Sequence, residues 1–175
     1  QPGVSKDLAR TDRLLTEKER QELEGSLNGY VKKHKGEILA LKEIDADTRL
    51  RLKVMDALRV KGRPGLAEIL EHSLVVRAPP ALIGEIKVFE QRHKVKVYAL
   101  NVPSSKLPSK ESNRIIIFKT EELEASLIHE SGSLKGLTDE ECRKLERIIT
   151  AKKTIITPHF LKAVEDAYQG KVFPS

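Results

Sequence analysis

The sequence predicts an α/β protein: a small, mainly parallel four-stranded sheet that is flanked by helices and preceded by a helical extension. In the first 72 residues, apolar side chains recur at helical spacing. After residue 72, short β-branched runs alternate with amphipathic stretches, in the order β-α-β-β-α-α-β-α. Such alternation is typical of a sheet with helices on both sides. We therefore divide the chain into a helical extension, residues 1–72, and an α/β domain, residues 73–175.

The extension contains three predicted helices. Thr16 followed by Glu19 forms a capping box, in which each side chain can bond a backbone N–H at the helix start, so the first helix begins near Glu17. A second helix carries its apolar residues at Leu50, Val54, Ala57 and Leu58. This helix should stop at KGRPG, residues 61–65, because the Gly allows the backbone to leave the helical conformation and the Pro disfavours continuation of the helix. A third, shorter helix then covers residues 66–72.

Four strands and four helices are predicted beyond the extension. The strands are residues 74–76, the alternating run 94–100, the continuous β-branched run 113–119, and the short run 155–156. A run without polar alternation is typical of a strand covered on both faces, so 113–119 should be central. Helices should follow Pro79, Thr120, Thr138 and Thr157, with SGSLKG, residues 131–136, separating the second from the third.

Composition narrows the class of protein. About 39% of the 175 residues are apolar, which suffices for one core with a small annex. The single cysteine, Cys142, excludes an internal disulfide framework and favours an intracellular location, nuclear, cytoplasmic or in an organelle matrix. Neither a secretory signal nor a membrane-spanning run is recognisable, and a targeting segment could have been removed before Gln1.

Charge is unevenly distributed along the chain. The net charge is +6, yet residues 87–114 carry a local +5 and residues 121–146 a local −5. Basic residues of the first segment are candidates for contacts with a partner or with phosphates, and a Lys near the start of the Thr138 helix joins them. These candidates are Lys94, Lys96, Lys106, Lys110, Arg114 and Lys144. Two ordinary solvated faces are the simpler interpretation of the same charges.

The C-terminal stretch IITPHFLKAVEDAYQGK, a strand, a Thr-Pro and a helix with an early aromatic, resembles the end of the BRCT domain. The resemblance covers roughly residues 73–173 and implies a protein-interaction module in which Phe160 anchors the last helix. The Gly-Gly that usually precedes the second strand of that family is replaced by Arg92-His93. The family's Ser/Thr-Gly phosphate pocket is missing at residues 77–80, although Lys144 matches the place of its phosphate-binding Lys.

LIHESGS, residues 127–133, differs by one residue from HExxH, the helical zinc-peptidase motif, because Ser133 replaces the second His. It also resembles the degenerate, non-catalytic copies of the metallopeptidase domain in the lethal-factor family. We expect His129 to lie at the surface or at a helix end, and the protein to hold no stoichiometric metal.

No nucleophile with a neighbouring base and no phosphate-binding loop is recognisable. We therefore expect a non-enzymatic protein-interaction module without a cofactor, with scaffolding in a nucleic-acid-associated complex as one form of that role. A basic module that contacts a nucleic-acid backbone and a degenerate metallopeptidase-like binding domain are the alternatives.

Overall fold

The protein folds around one mixed β-sheet that lies between two layers of helices. The computed structural model describes residues 7–41, 48–108 and 111–150, together with residues 162 and 165. In chain order the strands and helices are β1 (Ala9–Thr11), α1 (Glu17–Lys33), α2 (Lys35–Ala40), α3 (Thr48–Val60), α4 (Pro64–Glu71), β2 (Ser73–Arg77), α5 (Pro80–His93), β3 (Val97–Val102), β4 (Asn113–Ile117), α6 (Leu123–Lys135) and α7 (Asp139–Thr150).

The four strands lie in the order β1-β3-β4-β2. β2 and β4 are parallel, whereas β3 is antiparallel to both of its neighbours, β1 and β4. The α/β class and the flanking helices are thus confirmed, and the sheet is mixed rather than mainly parallel. The described part of the loop between β3 and β4 contains no α-helix to carry the chain back across the sheet, and the two strands run in opposite directions.

Two apolar cores cover the two faces of the sheet. One core joins α1, α2 and α5 to one face, and the other joins α3, α4, α6 and α7 to the opposite face. In β4 the side chain of Ile116 enters the first core, while Ile115 and Ile117 enter the second. This alternation confirms the central position predicted for the β-branched run, which has a strand on each side and helices on both faces.

Local signals placed most helix boundaries correctly. The Thr16 capping box is present, with reciprocal bonds to Glu19, and the same arrangement joins Thr138 and Glu141 ahead of α7. The stop at residues 61–65 is also found, since α3 ends at Val60 and α4 starts at Pro64. The predicted break at residues 131–136 is wrong, because α6 continues through Ser131, Gly132 and Ser133 as far as Lys135.

Two strands differ from their prediction. β1 was not predicted, because three residues including an arginine carry no periodic signal. β3 starts at Val97 rather than at residue 94, since Lys94 ends α5 in a left-handed conformation with φ 52°. The predicted strand 155–156 and the anchoring Phe160 lie outside the described residues. Among the described residues, none of the helices combines the length and the apolar character needed to cross a lipid bilayer.

Candidate functional site: a buried polar cluster beneath the edge strand

β1 brings two ionisable side chains, Asp7 and Arg10, against helices α6 and α7. The strand pairs with β3, and the backbone N–H of Asn101 donates to the carbonyl of Leu8 over 2.9 Å. On α7, Arg143 donates from Nη2 to the carbonyl of Thr11 over 2.9 Å. These contacts hold the N-terminal segment between β3 and α7.

The guanidinium of Arg10 is buried and has partners on both helices. Its Nε donates to Glu146 Oε1 over 3.0 Å, its Nη2 to Glu122 Oε1 over 2.6 Å and its Nη1 to Ser126 Oγ over 3.3 Å. The guanidinium carbon also lies 5.0 Å from the centre of the Tyr98 ring. Arg10 thus joins the edge strand to the start of α6 and to the C-terminal half of α7.

His129 lies at the centre of the cluster with its side chain fully buried. Its Nδ1 is 2.5 Å from Glu146 Oε2, and its Nε2 is 2.9 Å from Asp7 Oδ2 and 3.3 Å from Asp139 Oδ1. Burial lowers the pKa of His129, but the hydrogen bonds to Asp7 and Glu146 outweigh it and raise the pKa to about 10. Near neutral pH the ring is therefore an imidazolium and cannot act as a general base.

Glu130, the next residue of α6, is buried on the same side of the sheet. Its Oε1 accepts from Asn101 Nδ2 over 3.1 Å, whereas its Oε2 is buried without a hydrogen-bond partner. Burial raises the pKa of Glu130 to about 8. Because Glu130 stays protonated near neutral pH, it adds no negative charge to a cluster that already contains Asp7, Asp139 and Glu146.

Cys142 completes the cluster from α7. The close packing of α6 and α7 depends on Gly132, since a Cβ at that position would lie 3.0 Å from the Cys142 sulfur. Burial raises the pKa of the thiol, and the surrounding carboxylates add to the effect. One ligand atom from each of Asp7, His129 and Cys142 lies within 4.8 Å of the others.

The expectation of a surface or helix-end His129 is wrong. His129 lies in the middle of α6, and its buried ring is surrounded by the carboxylates of Asp7, Asp139 and Glu146. A signal was present in the sequence: small polar residues recur through this helix and leave room for the side chains of neighbouring elements. The partners of His129 were not predictable, since Asp7 is 122 positions away.

The predicted basic residues differ in their exposure. Lys94, Lys96 and Lys144 are exposed, and the exposed Lys106 donates to Asn28 over 2.8 Å. Arg114 is 2% exposed and bonds Glu111 and the carbonyl of Ser112, so it presents no free cation to a partner. Its position in the central strand β4 accounts for this burial. Lys110 lies outside the described residues.

An open groove lies between α3 and α7 on the outer side of the second core. Its volume is about 600 Å³, and its apolar lining residues are Leu52, Ala57, Val60 and Ile149. Leu52 is 53% exposed and Val60 is 82% exposed. Three cations also line the groove: Arg49, Lys53 and Lys61.

Comparison of the chain with models of protein families, with curated proteins and with solved structures finds no match in any of the three.

Proposed function

We propose that the protein is a non-enzymatic interaction module that binds an acidic amphipathic helix of a partner protein in the α3–α7 groove. The observation that supports this most directly is the exposure of Leu52 and Val60 in the lining of an open groove. Apolar residues of a helix occupy such grooves when they recur at three- and four-residue spacing. An exposed apolar strip with a polar edge is a common mark of an interaction surface.

The charged side chains that line the groove favour a partner helix with acidic residues. Arg49, Lys53 and Lys61 line the groove, and its single acid, Asp56, is paired with Arg59 at 3.2 Å. Glutamates and aspartates on the flanks of a partner helix would meet these cations, which favours encounter and orientation more than it adds affinity. A basic partner would meet like charge and would be disfavoured.

The buried cluster gives little support to a catalytic role for the protein. The side chains of His129 and Glu130, the two residues that matched the zinc-peptidase motif, are fully buried, so neither meets a substrate arriving from solvent. The metallopeptidase-like alternative is itself a non-catalytic binding domain, and it stays an alternative. For the nucleic-acid alternative, the buried Arg114 is no longer a candidate contact with phosphates. The exposed Lys94, Lys96 and Lys106 remain candidates.

Selection from a displayed library of helical peptides tests the proposal. We expect the selected peptides to carry apolar residues at i, i+3, i+4 and i+7 with acids beside them. Leu52→Glu places a carboxylate in the lining of the groove and should weaken their binding by about tenfold or more, since a central interface residue contributes over about 1 kcal/mol.

Val88→Glu is the matched control. Val88 is 54% exposed, close to the 53% of Leu52, but it lies on α5 in the opposite helical layer. Binding by the Val88 variant should equal that of the wild type. Peptides that bind both variants equally, or that are enriched in lysine rather than in acids, would exclude the groove as the site.

A further inference from the structure

We propose that Asp7, His129 and Cys142, with Asp139 as fourth ligand, form a buried structural site for a divalent transition metal, with Zn²⁺ as the best fit. The sequence-based expectation of no metal concerned a pair of His residues one turn apart on one helix. The proposed site uses only His129 from that motif and takes its other ligands from two other segments of the chain.

The distances suit a tetrahedral ion. Zinc lies about 2.0–2.3 Å from nitrogen, oxygen and sulfur ligands, so ligand atoms in a tetrahedral site lie roughly 3.3–3.8 Å apart. Here Nε2 of His129 is 2.9 Å from Asp7 Oδ2 and 3.3 Å from Asp139 Oδ1. The ligand atoms of Asp7, His129 and Cys142 lie within 4.8 Å of one another. Adjustments on the order of 1 Å would bring these three atoms to zinc-binding distances, and Asp139, which lies outside that set of three, would have to move closer to it to complete the site.

The orientation of His129 is that of a metal ligand. Its Nδ1 bonds Glu146 at 2.5 Å, and Glu146 is itself held by Nε of Arg10 at 3.0 Å. A carboxylate on one ring nitrogen fixes the tautomer and presents the other nitrogen to a metal, an arrangement found at most zinc-bound histidines. The other ring nitrogen, Nε2, faces Asp7 and Asp139 and bonds Asp7 Oδ2 at 2.9 Å, so a metal ion would take the place of that bond.

One buried oxygen independently indicates a ligand. Asp139 is only 6% exposed, and its Oδ1 makes no hydrogen bond, since its contact with Nε2 of His129 at 3.3 Å is an ion pair without hydrogen-bond geometry. Buried carboxylate oxygens are normally bonded, because leaving one unpaired costs about 1–3 kcal/mol. A metal ion between Asp139 and His129 would satisfy this oxygen.

The donor set also suits the ion. A coordinating cation deprotonates a thiol outright, so Cys142 would bind as a thiolate, and His129 would bind through a nitrogen of its neutral ring. With Asp139 included, four protein ligands leave no open position, which is the pattern of structural rather than catalytic zinc.

Such a site would tie three parts of the fold together. Asp7 precedes β1, His129 lies in α6, and Asp139 and Cys142 lie in the first turns of α7. The short edge strand has only three residues in the sheet, so a metal at its start would add to its attachment.

Cobalt substitution tests the site with a spectroscopic readout. Cys142 is the chain's single cysteine, so a thiolate-to-cobalt charge-transfer band can arise only from this residue. We expect untagged protein to contain one equivalent of zinc, and the Co²⁺-loaded protein to show that band together with the intense d–d bands of a tetrahedral ion. Cys142→Ser should abolish the charge-transfer band.

Variants of two glutamates on α7 distinguish zinc binding at the proposed site from general binding of zinc to acidic side chains. Glu146→Gln changes the group that orients His129 and should lower zinc affinity about 10–100-fold while the charge-transfer band remains. Glu140→Gln changes an exposed acid on the same helix and should leave zinc affinity unchanged.

Several results would overturn the proposal. One is wild-type protein that stays below one equivalent after dialysis against zinc. Another is a cobalt spectrum without the charge-transfer band, and a third is a melting temperature that a chelator leaves unchanged. The cobalt spectrum is recorded on the wild type, so it decides the question even if the Cys142 variant fails to fold. Equal zinc affinity in the Glu146 and Glu140 variants would assign the metal to adventitious surface binding.

Discussion

Replacing Arg10 by Met tests whether the buried cluster is held together by this guanidinium. The substitution keeps an unbranched apolar stem and removes the cation that Glu146 and Glu122 share. The Glu122 side chain is 57% exposed, so loss of that pair should cost no more than about 1 kcal/mol. The Glu146 side chain is only 12% exposed and would remain among acids with His129 as its remaining close cation.

The expected magnitude follows from that difference in burial. Breaking a buried ion pair by removing one partner costs about 3–5 kcal/mol. Because water can enter beside a short edge strand, we take the lower end, about 3 kcal/mol, for Arg10→Met. With a urea m-value of about 2 kcal/mol/M, the unfolding midpoint should fall by roughly 1.5 M. Both proteins are measured in excess chelator, so that metal binding does not contribute to the difference.

Arg92→Met is the matched control for this measurement. Its side chain is 58% exposed and pairs with Glu22 at 3.1 Å, so the midpoint should fall by less than about 0.5 M. Adding Glu146→Gln to Arg10→Met removes the negative charge that lost its Arg10 partner, and the double variant should lose less stability than the sum of the single ones. Equal midpoint shifts for Arg10→Met and Arg92→Met, or strict additivity in the double variant, would refute the reasoning.

Two further predictions concern pH and nucleic acid. Hydrogen bonds from the Arg13 side chain and the Thr16 backbone lower the pKa of Glu19 to about 2. The resulting stability is present above the unfolded pKa near 4.5 and is lost as the pH falls towards 2, so Glu19→Gln should flatten the fall in urea midpoint between pH 5 and pH 3. We also expect only weak duplex binding, with log affinity falling by about 0.9 per decade of salt for each phosphate contact. Sub-micromolar binding at physiological salt that collapses when Lys94 and Lys96 are changed to Glu would instead favour the nucleic-acid alternative.

The sequence by itself determined the features that depend on a few neighbouring residues. The Thr16 and Thr138 capping boxes start their helices, and the Gly-Pro stretch at residues 61–65 separates α3 from α4. The β-branched run in β4 is central, as its lack of polar alternation predicts. Such signals are readable because the interacting groups lie three or four residues apart or repeat with the period of one element.

Only the tertiary structure decided which polar side chains are buried and with which partners. His129 meets Asp7 across 122 positions, and Arg10 meets Glu146 across 136. Arg114, which a linear count of charge places on a basic patch, is buried within the central strand. Whether an ionisable group is exposed depends on whether distant partners offset its loss of water, and no local pattern in the sequence carries that information.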